Sequence, residues 1–330
     1  MVRRSPFLPR AVLLGLLGAF FAACGFDGTG GVLDTDAARS SAPGSEGGTQ
    51  SGDGDGGPPG QIEGGSVPVI TDGGLDDGSD DSAVPHDSGP PLPTNPGPPL
   101  AYVVSGRFWT FDPTNGAWSG GTALPANNCP ALDELAVDPF GALFAIGNNA
   151  SALYRVDPTT LMCTAIGPAG TYPQSLAFAP RGTLDPYFEV LVGYAANGDY
   201  VRIDTTTGAQ TVVTAGALAG VVVGDVVNVG PKGYVAVNGG SCGTGDCIWE
   251  ISFTTGKAVA PGLASAKLPS TTHVTGLAHW SGKLQAFCGP DEVFSLDPTN
   301  AAGATARSGP SGYVNVVYRG AGSRTIAPTN

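Results

Sequence analysis

Positive charge is scarce in this chain. Its 330 residues hold 15 Lys+Arg against 28 Asp+Glu, a formal net charge of −13. That excludes a nucleic-acid binder, which needs a basic footprint to neutralise phosphates. Charged residues of either sign make up 13%, too few for a coiled coil. Histidine is rarer still: of three, His273 and His279 fall in the C-terminal two thirds. No Gly-x-Ser-x-Gly elbow, Walker loop or His-Glu-x-x-His motif occurs, so common nucleophile, nucleotide and zinc-protease signatures are missing. Residues 100–330 show no amphipathic helix of useful length. What abounds is glycine (52) and proline (29), beside an apolar fraction of 41%. Such numbers describe two materials in one chain: one low in complexity, one able to form a core.

Charge divides the chain. Residues 1–24 carry Arg3, Arg4 and Arg10 and no acid; residues 25–99 carry 13 acids and one base, Arg39; residues 100–330 sum to −4. The acidity therefore belongs to the middle segment and says little about partners of a folded domain. That segment holds 19 Gly, 11 Pro, 11 Asp and one aromatic, Phe26. It cannot bury enough apolar surface to offset chain entropy. Stretches such as 51–57 and 76–81 lack the spaced ligands and closing Glu of a calcium loop. A solvated tether is expected, with a root-mean-square span on the order of 50 Å.

Ahead of it, basic Met1–Arg10 leads into an apolar run of 13 residues, Ala11–Ala23. A bilayer span needs about 20, so the run fits the hydrophobic region of a secretory signal peptide. It ends Phe21-Ala22-Ala23-Cys24-Gly25, which resembles the bacterial lipobox with Phe21 in place of the usual Leu. The resemblance implies cleavage before Cys24, lipid on its sulfur, and acylation of its new amino group, anchoring the chain in a bilayer. Gly25, not Asp, follows Cys24, which by the enteric sorting rule favours the outer membrane. An ordinary signal peptide cut after Ala23 is the other reading. The expected domains are thus a lipoprotein signal peptide (1–23), a lipidated Cys and disordered tether (24–99), and a folded domain (100–330).

Within 100–330 one unit recurs: an apolar–aromatic strand, an Asp, then a Thr-rich turn. The equivalent positions are Asp112, Asp157, Asp204, Ser252 and Asp297, spaced 45, 47, 48 and 45 residues apart. Each unit reads as four short strands; in the second they are Glu134–Asp138, Ala142–Gly147, Leu153–Val156 and Cys163–Ile166. About 46 residues in four strands is the size of a β-propeller blade. The expectation is all-β, a five-bladed propeller. The first unit lacks its innermost strand, and an extra strand, Val314–Tyr318, follows the last. That strand is expected to complete the first blade, so that the two ends of the domain share the closure. The repeated Asp is expected to accept backbone N–H bonds and start a turn.

The turns Asp204-Thr-Thr-Thr-Gly208 and Asp112-Pro-Thr-Asn-Gly116 resemble those of quinoprotein-like and YVTN-type propellers. With lipobox and tether, the chain also resembles a group of myxobacterial propeller lipoproteins of unassigned activity. Asn128-Cys-Pro130, Leu153-Tyr-Arg-Val-Asp-Pro158 with Cys163-Thr164, Cys242-Gly-Thr-Gly-Asp-Cys247 and Gly320-Ala-Gly-Ser-Arg-Thr325 carry that likeness. It implies fold and compartment, and no activity or cofactor.

Export permits disulfides. The Cys242–Cys247 spacing suits a hairpin staple; a zinc pair is the alternative, but no second pair or nearby His supports it. The resemblance implies a Cys129–Cys163 bond, although simple blade geometry puts the two toward opposite ends of their unit. Cys288 is left over as a small buried hydrophobe. His279 takes a strand position held by Val137 and Phe178 in sister units, which implies a packed core histidine.

One polar constellation remains. Aligning the units brings Asp133, Glu134, Gln174, Asp225, Thr275 and Asn315 near the starts of the innermost strands, at the mouth of the central channel. A register error of one residue would turn a side chain to the other face. Such a ring could hold a cation, a sugar or water, or form a solvated rim. The leading expectation is a monomeric, membrane-anchored interaction module for an envelope protein or glycan, not an enzyme. The alternative is a glycosidase- or lyase-like enzyme using the channel-mouth acids as a carboxyl pair.

Overall fold

The computed structural model describes residues 89–330 except 126–128, 148, 239–241, 243–245, 260–265 and 269–272. The signal peptide, Cys24 and the tether up to residue 88 lie outside the described residues. Within them no α-helix forms. Twenty strands make five four-stranded antiparallel sheets: a five-bladed β-propeller.

Four blades follow the chain. Blade II is β4 (Leu132–Val137), β5 (Leu143–Gly147), β6 (Ala152–Val156) and β7 (Cys163–Ile166); blade III is β8 (Ala177–Ala179), β9 (Val190–Tyr194), β10 (Tyr200–Ile203) and β11 (Gln210–Thr214). Blade IV is β12 (Val222–Val229), β13 (Lys232–Asn238), β14 (Asp246–Ile251) and β15 (Ala266–Lys267); blade V is β16 (Val274–Trp280), β17 (Lys283–Cys288), β18 (Glu292–Asp297) and β19 (Asn300–Ser308). Blade I takes β1 (Ala101–Val104), β2 (Arg107–Asp112) and β3 (Ala117–Ala123) from one end of the domain and β20 (Gly320–Ser323) from the other. Ring closure is thus shared by the two ends.

The closing strand itself is a correction. It is Gly320–Ser323, paired with β1 from Val104↔Gly320 to Ala101↔Ser323, and not Val314–Tyr318. The apolar run 314–318 is loop, with Val314 82% and Val317 58% exposed. Crowding at the axis explains the choice. A Cβ at Gly320 would lie 2.7 Å from the Glu134 Cα, so a β-branched strand could not come this close to β4. Its chain neighbour Tyr318 is fully buried and stacks on Trp118 at 5.7 Å, which pins the loop to blade I.

Buried apolar side chains sort into five clusters, one for each seam between neighbouring blades. A middle strand therefore buries both faces, and β5 is buried along its whole length. The edge strand β11 is mostly exposed. The repeated Asp residues serve their turns: Asp157 Oδ1 accepts from Thr159 N and Thr160 N, and Asp204 Oδ1 from Thr206 N and Thr207 N. These bonds hold both exposed carboxyls below the usual range.

Cysteine pairing follows both expectations: Cys129 bonds Cys163 and Cys242 bonds Cys247. Cys129, shortly before β4, is buried in the blade I–II seam with Leu143, Val156 and Leu161. That brings it to the start of β7, an approach a bare blade outline does not suggest. Closing 34 residues stabilises by about 4 kcal/mol in the chain-entropy account. Cys288 is fully buried and in neither bond. His279 is a core residue, 1% exposed, its Nε2–H donating to Ala327 O at 3.2 Å. Burial lowers its pKa to about 4.

Residues 89–99 also touch the propeller. Gly89 lies on the Tyr187 backbone, Arg181 Nη2 donates to Pro90 O at 2.6 Å, and Gly97 sits beside the Arg324 guanidinium. The stretch 89–99, expected to be free tether, crosses the face where the inner strands end.

Candidate functional sites at the two ends of the channel

The axis is lined by Leu135, Val226, Leu277 and Ala321 of β4, β12, β16 and β20, and by Leu176 just ahead of β8. The preceding residues are Glu134, Ser175, Asp225, Gly276 and Gly320, all buried. This is the actual ring. It keeps Glu134 and Asp225 from the expected set and replaces the rest. Gln174 and Thr275 lie one position earlier than the ring residues Ser175 and Gly276. Gln174 is exposed, and Thr275 Oγ1 donates to Tyr318 O at 2.7 Å. Asn315 is an exposed loop residue with φ 58°, outside β20. Asp133 turns to the rim, where Oδ1 accepts from Arg319 Nη1 at 2.8 Å and Oδ2 from Asn149 N at 2.9 Å.

Three of the inner strands, β4, β12 and β16, carry a β-bulge at this level. Register slips between Leu132 and Glu134, between Val223 and Val226, and between Val274 and Gly276. An extra residue at each strand start resets which side chain faces inward. Simple alternation fails there.

Glu134 and Asp225 face each other at hydrogen-bonding range. Asp225 Oδ1 accepts from Val226 N at 2.7 Å and Oδ2 from Leu277 N at 2.5 Å, and the Ala321 N–H adds a third bond. No donor among the described residues reaches Glu134 Oε2. Burial drives the Glu134 pKa well up, and the Asp225 charge adds to it. Burial also raises Asp225, but its backbone N–H donors and Glu134 pull it back. The pair therefore holds its proton on Glu134, which donates to an Asp225 carboxylate seated in backbone N–H groups. Both acids are buried, Glu134 6% and Asp225 0% exposed; the small axial cavity lined by their chain neighbours Leu135 and Val226 has about 10 Å³ open to a water's centre, the size of a single molecule.

At the other end of the channel lies a larger concavity of about 150 Å³. The turn after β4 supplies Asp138 and Phe140; the loop after β8 supplies Arg181, Phe188 and Glu189; Pro90 and Leu92 form one wall. Phe140 and Phe188 are each 50% exposed. Asp185 fixes the aromatic loop by accepting from Tyr187 N and Phe188 N, both at 2.8 Å. Glu189 Oε1 accepts from Thr325 Oγ1 at 2.9 Å. Glu189 Oε2 and Arg181 Nε are buried with no partner among the described residues. Burial raises Glu189 to about 7; the Thr325 bond opposes this, Asp138 adds to it and Arg181 opposes it. The sequence reading passed over this site. Its signal was aromatics placed in turns, Pro139-Phe140-Gly141 and Pro186-Tyr187-Phe188, where no strand pattern buries them. Among the described residues no three of His, Cys, Asp or Glu converge as a metal site.

No protein-family model matches the chain, and no curated protein matches it. Solved structures do resemble it. A hydrazine synthase chain from Kuenenia stuttgartiensis is 12% identical with a TM-score of 0.34; the likeness covers 64% of this chain and 62% of that one. A chain of a nidogen/laminin complex is 12% identical with a TM-score of 0.40, covering 68% and 81%. The aldose sugar dehydrogenase of Streptomyces coelicolor, in a PQQ-bound form, is 21% identical with a TM-score of 0.35, covering 57% and 67%. The chain thus spans less than two thirds of the hydrazine synthase chain. Nothing about substrate, partner or site follows from likenesses this remote. The two disulfides fit an oxidising, exported setting.

Proposed function

We propose that the protein is a membrane-anchored envelope lipoprotein whose propeller is a binding module for a protein or glycan partner. Cys24 carries the lipid, the acidic segment gives reach, and the outer membrane is the favoured site. The concavity bearing Phe140, Phe188, Arg181 and Glu189 is the contact surface. One observation carries this reading. The axial acids Glu134 and Asp225 are buried, with only a one-water cavity next to their neighbours, whereas the far end offers a concavity of about 150 Å³ with half-exposed rings and, beneath them, a donor and an acceptor with no partner among the described residues. Open apolar concavities with a few aimed polar groups are where ligands bind.

The test uses the mature chain as bait against envelope extract. Phe140→Asp with Phe188→Asp should abolish capture of any partner that the wild type retains. Equal capture by both would defeat the reading. Cys24→Ser should move the protein from the membrane to the soluble fraction, or leave its signal peptide uncleaved; unchanged fractionation and migration would remove the lipid anchor. The enzymatic alternative rests on the Glu134–Asp225 pair. It requires glycan cleavage by the wild type that Glu134→Gln eliminates.

A further inference from the structure

The wall of the open pocket is part of the chain's own leader, and its chemistry is specific. Gly89-Pro-Pro-Leu-Pro93 puts three prolines in five residues. Proline fixes φ and lacks an N–H, so such a segment is extended in advance, with its carbonyls left for outside donors. The segment runs without regular secondary structure. Arg181 Nη2 takes the Pro90 carbonyl at 2.6 Å, Gly89 rests on the Tyr187 backbone, and Pro90 and Leu92 line the pocket with Phe140 and Phe188. Aromatic walls with a donor for a proline carbonyl are the features by which proteins read polyproline segments. The strap does not fill the site. About 150 Å³ stays open, and Arg181 Nε and Glu189 Oε2 remain unpartnered. Both atoms are buried, so a displacing peptide would supply their acceptor and donor only after the strap has left.

Resting on the binding-module reading, we propose that this pocket takes an extended proline-rich peptide and that Pro90–Leu92 is its resident occupant. The leader is a strap in cis, and a proline-rich segment of a partner protein displaces it by also using Arg181 Nε and Glu189 Oε2. The anchoring tether is then docked at rest and freed when a partner binds.

The probe is a fluorescein-labelled peptide of residues 89–96, followed by anisotropy with the mature chain. Wild type competes with its own strap. Pro90→Gly with Leu92→Gly empties the pocket without changing its other walls. That variant should bind the peptide at least tenfold more tightly than wild type. Adding Arg181→Ala, or Phe188→Ala, should remove the gain, with each variant first shown by thermal melt to be folded. A second readout is cleavage near Leu92 by thermolysin, which should be faster in Arg181→Ala than in wild type. Equal peptide affinity for wild type and the emptied variant, or none for either, overturns the proposal. So does binding of an N-acetylglucosamine tetramer to the emptied variant that the peptide cannot match; that result would make the occupant a glycan. If the peptide fails while Phe140→Asp with Phe188→Asp still abolishes partner capture, the peptide class falls and the binding module stands. If capture is also unaffected, both fall.

Discussion

Glu134 beside Asp225, at the channel axis, and Glu189 beside Arg181, where the leader crosses the other face, are two acid sites in one ring. Burial raises the carboxyl pKa at both. The first is buried, with Glu134 6% and Asp225 0% exposed, and its Asp225 is saturated by backbone N–H groups. The second opens into about 150 Å³ and keeps a donor and an acceptor unused. A perturbed carboxyl therefore does not by itself mark a working site; access and unused hydrogen-bonding capacity do. The axial pair is where five strands meet and must satisfy one another. The pocket lies on turns and a leader, where side chains are free to serve something else.

The largest effect should come from breaking the buried side at its seam. Truncation after Arg319 removes β20, and with it the pairing of blade I and the Ala321 N–H to Asp225. The loss should be several kcal/mol, enough to abolish cooperative unfolding in a domain with about 5–15 kcal/mol to lose. A truncated chain that is soluble and melts within about 5 °C of the full one would show that the axis does not depend on closure.

Next in size are point changes at the pair. Asp225→Ala leaves three buried N–H groups without an acceptor and should cost about 3 kcal/mol or more. Glu134→Gln keeps a donor to Asp225 and should change stability by less than about 1 kcal/mol. Urea denaturation of the two variants separates them; equal losses would contradict a proton held on Glu134.

Titration distinguishes the sites more gently. The folded-state pKa of Glu189, about 7, lies above its unfolded value near 4.3. Its contribution is full below that unfolded value and fades as pH rises through about 7. Glu134 is raised too, so its loss follows the same sign. Glu189→Gln should flatten the fall in the urea midpoint between roughly pH 5 and 8. Any fall that remains belongs to the axial pair. An unaltered profile would mean that Glu189 does not titrate there.

The smallest effect on stability should be at the open side. Phe188 is half exposed, so Phe188→Ala should shift the melting free energy by only about 0.5 kcal/mol. Yet it should lose the peptide affinity gained by emptying the pocket. A large destabilisation would instead make the ring a structural prop.

The repeat and its turns were legible because they are local. Asp157 and Asp204 announce a turn through bonds to residues two and three away, and 45–48 residues per unit is a property of chain order. The axial acids were half legible. Glu134 and Asp225 were named, but a bulge displaced the position in β16, the one before β8 was off by a residue, and Asn315 followed from taking an apolar run for the closing strand. Hydrophobicity suggested Val314–Tyr318; the axis had room for Gly-Ala-Gly-Ser.

By itself, the sequence determined the all-β class, the number of blades, the sharing of the closure between the chain ends, and the turns, since periodicity and short-range hydrogen bonding suffice for these. Tertiary structure alone decided which strand closes the ring and which residues face the axis. It also decided that the leader lies against Arg181, and that one acid pair is buried while the other acid borders a wide concavity. Those outcomes depend on how closely backbones from distant parts of the chain approach, and residue order does not record that distance.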